Sequence, residues 1–460
     1  MAISRRSFLR AGLAATGGLV AARPLGVLAG PLGPAPLVTT SRASKLFAGI
    51  ALAHADLHNH SLLSDGDGDA VLAFASMRNA GLDVAALTDH STLSWGMPDT
   101  VCFESECQSV AGINEASWAQ TKALADLANQ DGAFVALRGF EWSSPTIGHM
   151  NVWFSERWMD PLHTGGGGTG EGAAQFAHDE AEVPAEQMAA LDAIVKASPA
   201  TGAGMAPFYA WLRTAPDVPG IGGGADGVAG FNHPGREPGR FSNFSRLGLP
   251  APENIRSLEI FNRSEDYLFE GIDSIAESPL NECLNAGWRV GLAGVTDEHG
   301  TDWGEPLGKG RTGLWVTELS RAGVRDAIWN RRFFATRERG VRVDASANGT
   351  RMGGVLGHSS GPLAFALDFG RSGWEGKTLN VQILRSGDRL PAVQENIAFT
   401  VPADADPPVA FTRPVEAADG DWVVLRVSDP NDAADDRATG AWASYGKAIA
   451  YTSPFFLDPA

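Results

Sequence analysis

Short apolar runs, each followed within a few residues by histidine, aspartate or glutamate, recur along this chain and restrict what it can fold into. The first, Ile50-Ala51-Leu52-Ala53, leads into Asp56-Leu57-His58-Asn59-His60 and then Asp65. Two histidines at i and i+2 on a strand face the same side, so both imidazoles can reach one metal ion. The segment Ser64-Asp65-Gly66-Asp67-Gly68-Asp69 reads as a turn able to fold Asp65 back over the strand end. Asp83–Thr88 precedes Asp89 and His90, Ala133–Leu137 precedes Glu141, and His149 opens a strand over 149–154. His233 follows the run 227–231, Glu259 lies late in 255–261, and Asp297 and His299 follow 290–295. Six of the ten histidines thus sit at strand ends, each accompanied by a carboxylate, which lone structural histidines do not explain. A metal site is the expectation.

Helical patterns over 69–81, 114–129, 279–287 and 322–332 alternate with these runs, and 312–316 reads as a further strand. Such alternation from 50 to 335 implies an α/β fold with a mainly parallel sheet, open or closed into a barrel. The C-terminal ends of its strands converge on one face, where functional groups gather. Residues 163–230 read as an insertion, with glycine clusters at 165–168 and 222–224 and a helix near 185–196. From 341 to 460 the pattern becomes short alternating runs, such as 379–384 and 422–427, separated by Gly, Asp and Pro. No helix is expected there, and a smaller all-β, sandwich-like domain is the natural reading.

The N-terminus stands apart. Ser4-Arg5-Arg6-Ser7-Phe8-Leu9-Arg10 precedes a weakly apolar run from Ala11 to Ala22, and Val27-Leu28-Ala29 offers a small-residue cleavage site. Residues 1–29 resemble a twin-arginine signal peptide, which implies passage through the twin-arginine export machinery to a periplasmic or secreted location. A Pro-rich linker over 30–49 follows, and no run reaches the roughly 20 apolar residues of a membrane span. Net charge is −18, and removing the four leader arginines gives 32 − 54 = −22, a surface that repels long nucleic acid. Of the three cysteines, Cys102 and Cys107 are close enough to pair under oxidising conditions, leaving Cys283 over.

Taken in order, His58-x-His60, Asp65, Thr88-Asp89-His90, Glu141, Gly148-His149, Asn232-His233-Pro234 and Asp297-x-His299 resemble the PHP (polymerase and histidinol phosphatase) family over roughly 54–335. The 322–332 helix, the Arg-Phe-Phe-Ala-Thr segment and the closing Tyr451-Thr452-Ser453-Pro454 are similar to the exported carbaryl-hydrolase-like (CehA-like) branch. The resemblance implies a distorted (β/α)7 barrel with three divalent metal ions, here Zn, Mn or Fe. It places His58, His60, Glu141 and Asp297 around the first ion, and Glu141, His149 and His233 around the second. Asp65, His90 and His299 would hold the third, with Asp56, Asp89 and Glu259 orienting imidazoles from behind. The long insertion before His233 departs from the family's minimal pattern.

Paired ions that hold a hydroxide and neutralise a phosphoryl oxygen suit hydrolysis of a phosphate ester on a small molecule. Glu141 and Asp297 are the expected catalytic carboxylates, and Arg236 the expected contact to the substrate anion, ahead of Arg138 and Arg263. Hydrolysis of a carboxyl ester, amide or carbamate on the same centre is the alternative, with the 205–211 segment, Met-Ala-Pro-Phe-Tyr-Ala-Trp, as a source of apolar walls. A binding protein with an inert barrel is a third reading, disfavoured by the complete ligand set.

Overall fold

The computed structural model describes residues 41–91, 112–144, 147–159, 205–218, 222–237, 239–248, 251–271, 276–304 and 308–458, and the backbone of the short strands Cys102–Phe103 and Glu106–Cys107. The expected signal peptide, most of the linker, and the 165–168 and 185–196 parts of the insertion lie outside the described residues. The backbone pairs Cys102 with Cys107 across a two-strand ladder.

The helices begin where local chemistry starts them. Asp69 caps Ala70–Asn79 by accepting from the Val71 N–H, and Asn114 caps Glu115–Ala128 reciprocally with Ser117. Pro279 opens Pro279–Asn285, and Ser320 caps Arg321–Trp329. Each cap supplies about 1 kcal/mol, so packing does the rest. Ala73, Phe74 and Met77 of the first helix, for example, are fully buried with Leu87, Ala125 and Trp303.

Thirteen strands form the main path of one sheet. From its edge they run Gly291–Val295, Ile255–Asn262, Val228–Phe231, Gly148–Trp153, Val135–Ser144, Val84–Leu87, Ala51–Asp56, Arg311–Val316 and Phe333–Thr336. The path continues through Lys447–Thr452, Trp422–Asp429, Thr378–Arg385 and Ala392–Thr400. The edge strand returns toward Arg311–Val316. Thr312 Oγ1 donates to the Gly294 carbonyl and accepts from the Gly294 N–H, while Ser453 Oγ accepts from the Leu292 N–H.

The sheet is mixed rather than mainly parallel. Ala51–Asp56, Val84–Leu87 and Val135–Ser144 are parallel, as are Val228–Phe231, Ile255–Asn262 and Gly291–Val295. Gly148–Trp153 is antiparallel to both neighbours, and Arg311–Val316 is antiparallel to Ala51–Asp56. Only three residues separate Ser144 from Gly148, too few for the crossover that a parallel pair needs, so the chain must return antiparallel. Hairpin pairing also extends the third strand to Ser144. Glu141 therefore lies inside a paired strand instead of beyond its end, and His149 lies at the start of the next strand.

Beyond residue 341, Arg342–Ala347, Thr350–Arg351, Ser360–Gly370 and Val409–Glu416 form a separate four-stranded sheet. Its Val343, Leu363, Phe365 and Leu367 share an apolar core with Val381, Ile383, Leu425 and Val427 of the long sheet. The long sheet in turn joins the α/β part through the Phe334–Thr452 pairing. A short helix at Ala441–Ser444 is the one α-helix among the described residues of this region, where none was expected. It follows Gly440 at φ 59°, a conformation that favours glycine.

The β region also buries charge. Arg342 is fully inaccessible and donates to Asp368 Oδ1 at 3.0 Å and to Asp404 Oδ1 at 2.7 Å. Breaking such a pair strands a buried carboxylate, at a cost of about 3–5 kcal/mol. Arg342→Met is expected to lower unfolding stability in urea by about that amount, and Arg342→Met with Asp368→Leu to recover most of it. Equal loss in both variants would show that the arginine acts by packing alone.

Candidate metal centre

Every ligand-type residue singled out in the sequence reaches one buried locus. His58 and His60 leave the end of Ala51–Asp56 on one face, and His58 Nε2 lies 3.0 Å from His60 Nε2. Glu141 Oε1 and Asp297 Oδ1 stand 3.3 and 3.5 Å from His58 Nε2. His60 Nε2 is 3.3 Å from Asp297 Oδ1 and 3.5 Å from Glu141 Oε2. A tetrahedral ion with bonds of about 2.1 Å separates its ligand atoms by about 3.4 Å, so His58, His60 and Glu141 have the spacing an ion requires, with Asp297 beside both histidines.

Three further groups at ligand spacing adjoin it: His60, Asp65, His90 and His299; His90, Glu141 and His149; and His149, His233 and Glu237. Glu141 Oε1 is 3.3 Å from His149 Nδ1 and 3.2 Å from His233 Nε2. On the other side, Asp65 Oδ2 is 3.4 Å from both His90 Nε2 and His299 Nε2, and Asp65 Oδ1 is 3.7 Å from His60 Nδ1. Both nitrogens of His149 and Nδ1 of His233 are buried without a hydrogen bond. An unpaired buried imidazole nitrogen is costly, and at His149 Nδ1, which faces Glu141, a cation would satisfy it. The donor set, imidazole and carboxylate without thiolate, suits Zn, Mn or Fe.

Local sequence explains the placement. Glu141 and Ser143 project from the same face of their strand, and Ser143 pairs with His149 across the hairpin. The Asp65 turn closes because Gly66 donates to the Ser61 carbonyl and Asp67 to the His299 carbonyl. A Cβ on Gly66 would lie 2.7 Å from the Ser61 nitrogen, so only glycine fits there. His233 and Asp297 hold positive φ, 23° and 49°, strained conformations that aim their side chains inward.

The supporting shell differs in part from expectation. Glu259 accepts from His58 Nδ1 at 2.8 Å, and also from the His233 backbone N–H and Asn262. Asp56 meets the Thr296 hydroxyl and N–H, and Asp89 meets Ser61 and Ser64, so neither orients an imidazole. Asn232 Nδ2 donates to Glu141 Oε1 at 2.7 Å, a role its side chain alone did not announce. Arg236 donates to Asp297 Oδ2 at 3.1 Å and is steadied by Tyr267 and Asn262. Arg263 Nε stands 3.4 Å from the same carboxylate oxygen. Arg138 is elsewhere, stacked 3.8 Å over the Trp118 ring and donating to the Ser155 carbonyl. His54 is a buried strand residue, its pKa lowered to about 3 by burial and by the nearby arginines 311 and 42. His358 Nε2 donates to the Val415 carbonyl at 3.1 Å, and His163 and His178 lie outside the described residues.

One residue at the site was missed: Glu237, four after His233, whose carboxylate lies 3.5 Å from His233 Nδ1 and 3.8 Å from His149 Nε2. An i, i+4 carboxylate after a ligand histidine was the available signal.

The apolar segment at Met205–Arg213 is a helix, and its Met205, Phe208 and Trp211 are buried. Phe208 stacks on Trp142 at 4.5 Å and Trp211 meets Phe140 edge-on at 5.8 Å. Phe140 and Trp142 alternate with Glu141 and point to the opposite face. The stripe is core packing behind the site.

No family model matches the chain, and no curated protein does. Among solved structures, a two-domain protein from Bacteroides vulgatus, described as containing a PHP-like metal-dependent phosphoesterase, aligns at TM-score 0.38 and 15% identity, over 90% of this chain and 98% of that one. A protein from Bifidobacterium adolescentis described as a metal-dependent phosphoesterase aligns at TM-score 0.26 and 15% identity, over 60% and 95%. An amidohydrolase from Chromobacterium violaceum, with sulfate bound and no metal, aligns at TM-score 0.26 and 16% identity, over 54% and 88%.

Without an ion the cluster stores protons. Burial opposes a charge on His58 and His90, yet Glu259, Asp297 and Glu141 around the one and Asp65 and Glu141 around the other raise both well above the usual range. Burial likewise opposes charge on Asp65, Glu141 and Asp297, but the facing histidines hold all three low. His60 is the exception, lowered to about 3 by burial and by the charges of His299 and His90. For His233, burial is outweighed chiefly by the Glu237 charge, and its pKa rises to about 9. A folded pKa above the unfolded one means this proton stabilises fully below about pH 6.5 and ceases to do so as pH passes about 9. Chelated protein is therefore expected to lose urea stability between pH 6.5 and 9, whereas stoichiometric zinc, which displaces the protons, flattens that slope. Equal slopes with and without metal would contradict this electrostatic account.

Proposed function

We propose that this chain is an exported, metal-dependent phosphoesterase of the PHP kind, acting on phosphate esters of small molecules. One observation carries the reading. His58, His60, Asp65, His90, Glu141, His149, His233, Glu237 and His299 meet in overlapping groups at ligand spacing, with Glu141 common to two of them and Asp297 beside His58 and His60. His58, His60, Glu141 and Asp297 would hold a first ion, Glu141, His149 and His233 a second, and Asp65, His90 and His299 a third. Divalent ions there would supply Lewis acidity toward a phosphoryl oxygen and activate water for attack. The closing sheet edge, at Gly294 and Thr312, supports a distorted (β/α)7 barrel as the frame.

The chain's own groups then position the substrate. Glu259 fixes His58 through Nδ1, and Asn232 fixes Glu141, so the ligand atoms are set before any ion arrives. Arg236 is held on its inner side by Asp297, Asn262 and Tyr267 while its side chain remains 37% exposed, which presents a guanidinium edge to an incoming anion. Arg263, 44% exposed on the same carboxylate, adds a second cation. Cations at the rim favour a phosphate ester over a neutral carboxyl ester, amide or carbamate. The apolar wall on which that alternative relied is packed into the core. The leader at 1–29, with its Arg5-Arg6 pair, supports twin-arginine export.

Protein purified without its leader is expected to hold about three divalent ions, as the resemblance implies, and to turn over an aryl phosphate monoester or diester. Glu141→Ala should lose at least two of those ions and reduce phosphate ester turnover by at least about a hundredfold. Turnover of aryl carboxyl or carbamate esters alone would reassign the reaction to carbonyl chemistry. Absence of stoichiometric metal after reconstitution would refute the metal-dependent reading.

A further inference from the structure

Behind the His149 and His233 pair stands a carboxylate that the ligand pattern does not include. Glu237 is buried, at 10% side-chain exposure, and directs one oxygen toward each ring: Oε1 lies 3.8 Å from His149 Nε2 and Oε2 lies 3.5 Å from His233 Nδ1. The opposite nitrogens of the same rings, His149 Nδ1 and His233 Nε2, face Glu141 Oε1 at 3.3 and 3.2 Å. Each imidazole is thus bracketed between two carboxylates. Glu237 Oε2 and His233 Nδ1 both lack a hydrogen bond, as does His149 Nε2, so all three poles of this second bracket are buried and unpaired.

The loop that carries Glu237 is built to stay there. Pro234 and Gly235, the latter at φ 102°, reverse the chain after His233, and the Arg240 N–H donates to the Glu237 carbonyl. Residues Arg240 to Phe244 then adopt positive φ in succession, between 42° and 58°. Left-handed backbone is unfavourable for L side chains, and burial of Phe241 and Phe244 offsets it. The Phe241 N–H donates to the Ile147 carbonyl at 2.7 Å. Its ring covers Gly148, where a Cβ would come within 2.4 Å. The loop is therefore fastened to the strand that carries His149.

Resting on the metal-dependent reading above, we propose that Glu237 is a positioning residue shared by two imidazoles, which fixes opposite tautomers in His149 and His233. By accepting a hydrogen bond from the N–H at each outer nitrogen, it leaves the lone pairs of His149 Nδ1 and His233 Nε2 facing Glu141. One acidic side chain thereby sets the affinity of the second ion. His58 shows the simpler form of the device, with Glu259 on its Nδ1 at 2.8 Å. A carboxylate behind a ligand histidine is typically worth about 10–100-fold in metal affinity, and a shared one acts on two ligands together.

The test compares wild type, Glu237→Ala and the isosteric Glu237→Gln, all without the leader, titrated with zinc against a chelator of known affinity, with bound metal counted by mass spectrometry. Glu237→Ala should weaken one ion by about 10–100-fold and leave the others unchanged. Glu237→Gln, able to accept from one ring but not both, should fall between it and wild type. Nitrogen-15 spectra of histidine-labelled zinc protein should show, among the six ligand rings, an Nδ1-bound signal from His149 and an Nε2-bound signal from His233, assigned with His149→Gln and His233→Gln, and this pair should be lost in Glu237→Ala. Unchanged affinity for every ion in both variants would overturn the proposal. So would complete loss of one ion in both variants, which would make Glu237 a ligand itself. Chelated variants whose far-ultraviolet circular dichroism matches that of chelated wild type confirm that the fold is intact. Failure of wild type to bind zinc would instead refute the metal-dependent reading, a result distinct from any of these.

Discussion

A buried carboxylate governs this structure. Glu141 is fully inaccessible on a central strand, where an isolated charge would be prohibitively unfavourable. It is tolerated because imidazoles approach both of its oxygens and Asn232 donates to one of them. That requirement reaches across the chain, since His58, His60, His90, His149 and His233 come from separate strands and connections. The sheet must bring their ends to one face for the carboxylate to exist at all. Site and fold are one constraint in this protein.

The β region contributes to the same constraint from a distance. Tyr451 donates to Asp266 Oδ2 at 2.9 Å and itself accepts from Arg426 at 3.1 Å. Asp266 caps the short turn Tyr267–Phe269, and the Tyr267 hydroxyl steadies Arg236 against Asp297. A chain of hydrogen bonds thus runs from Trp422–Asp429 and Lys447–Thr452 to the rim of the site. Ser453 reinforces it by accepting from the Leu292 N–H in Gly291–Val295, the strand that leads to Asp297. The continuous sheet makes these contacts possible.

The ligand-type residues were legible because each follows or lies in an apolar strand run, and His-x-His or Asp-x-His spacing survives any change in strand direction. Strand direction itself was not legible: the antiparallel return at Gly148 depends on a three-residue connection within what otherwise reads as a parallel fold. Arg138 shows a limit of position-based reading. It lies three residues before Glu141, but an odd offset turns it to the other face, onto Trp118. Asp56 and Asp89 sit beside ligands in sequence yet spend their oxygens on hydroxyl and N–H groups. Glu237 lies four residues after His233, a spacing that offered a signal, but its approach to both rings depends on how the Pro234-Gly235 reversal turns the chain.

The central claim is that Glu141 serves two ions at once. Anomalous diffraction from crystals of zinc-loaded protein, recorded on both sides of the zinc absorption edge, tests it most directly. The account predicts two peaks flanking the Glu141 carboxylate, one beside His58, His60 and Asp297 and the other beside His149 and His233, with a third beside Asp65, His90 and His299. A single peak at the cluster, or peaks that leave Glu141 without a metal on either side, would contradict it.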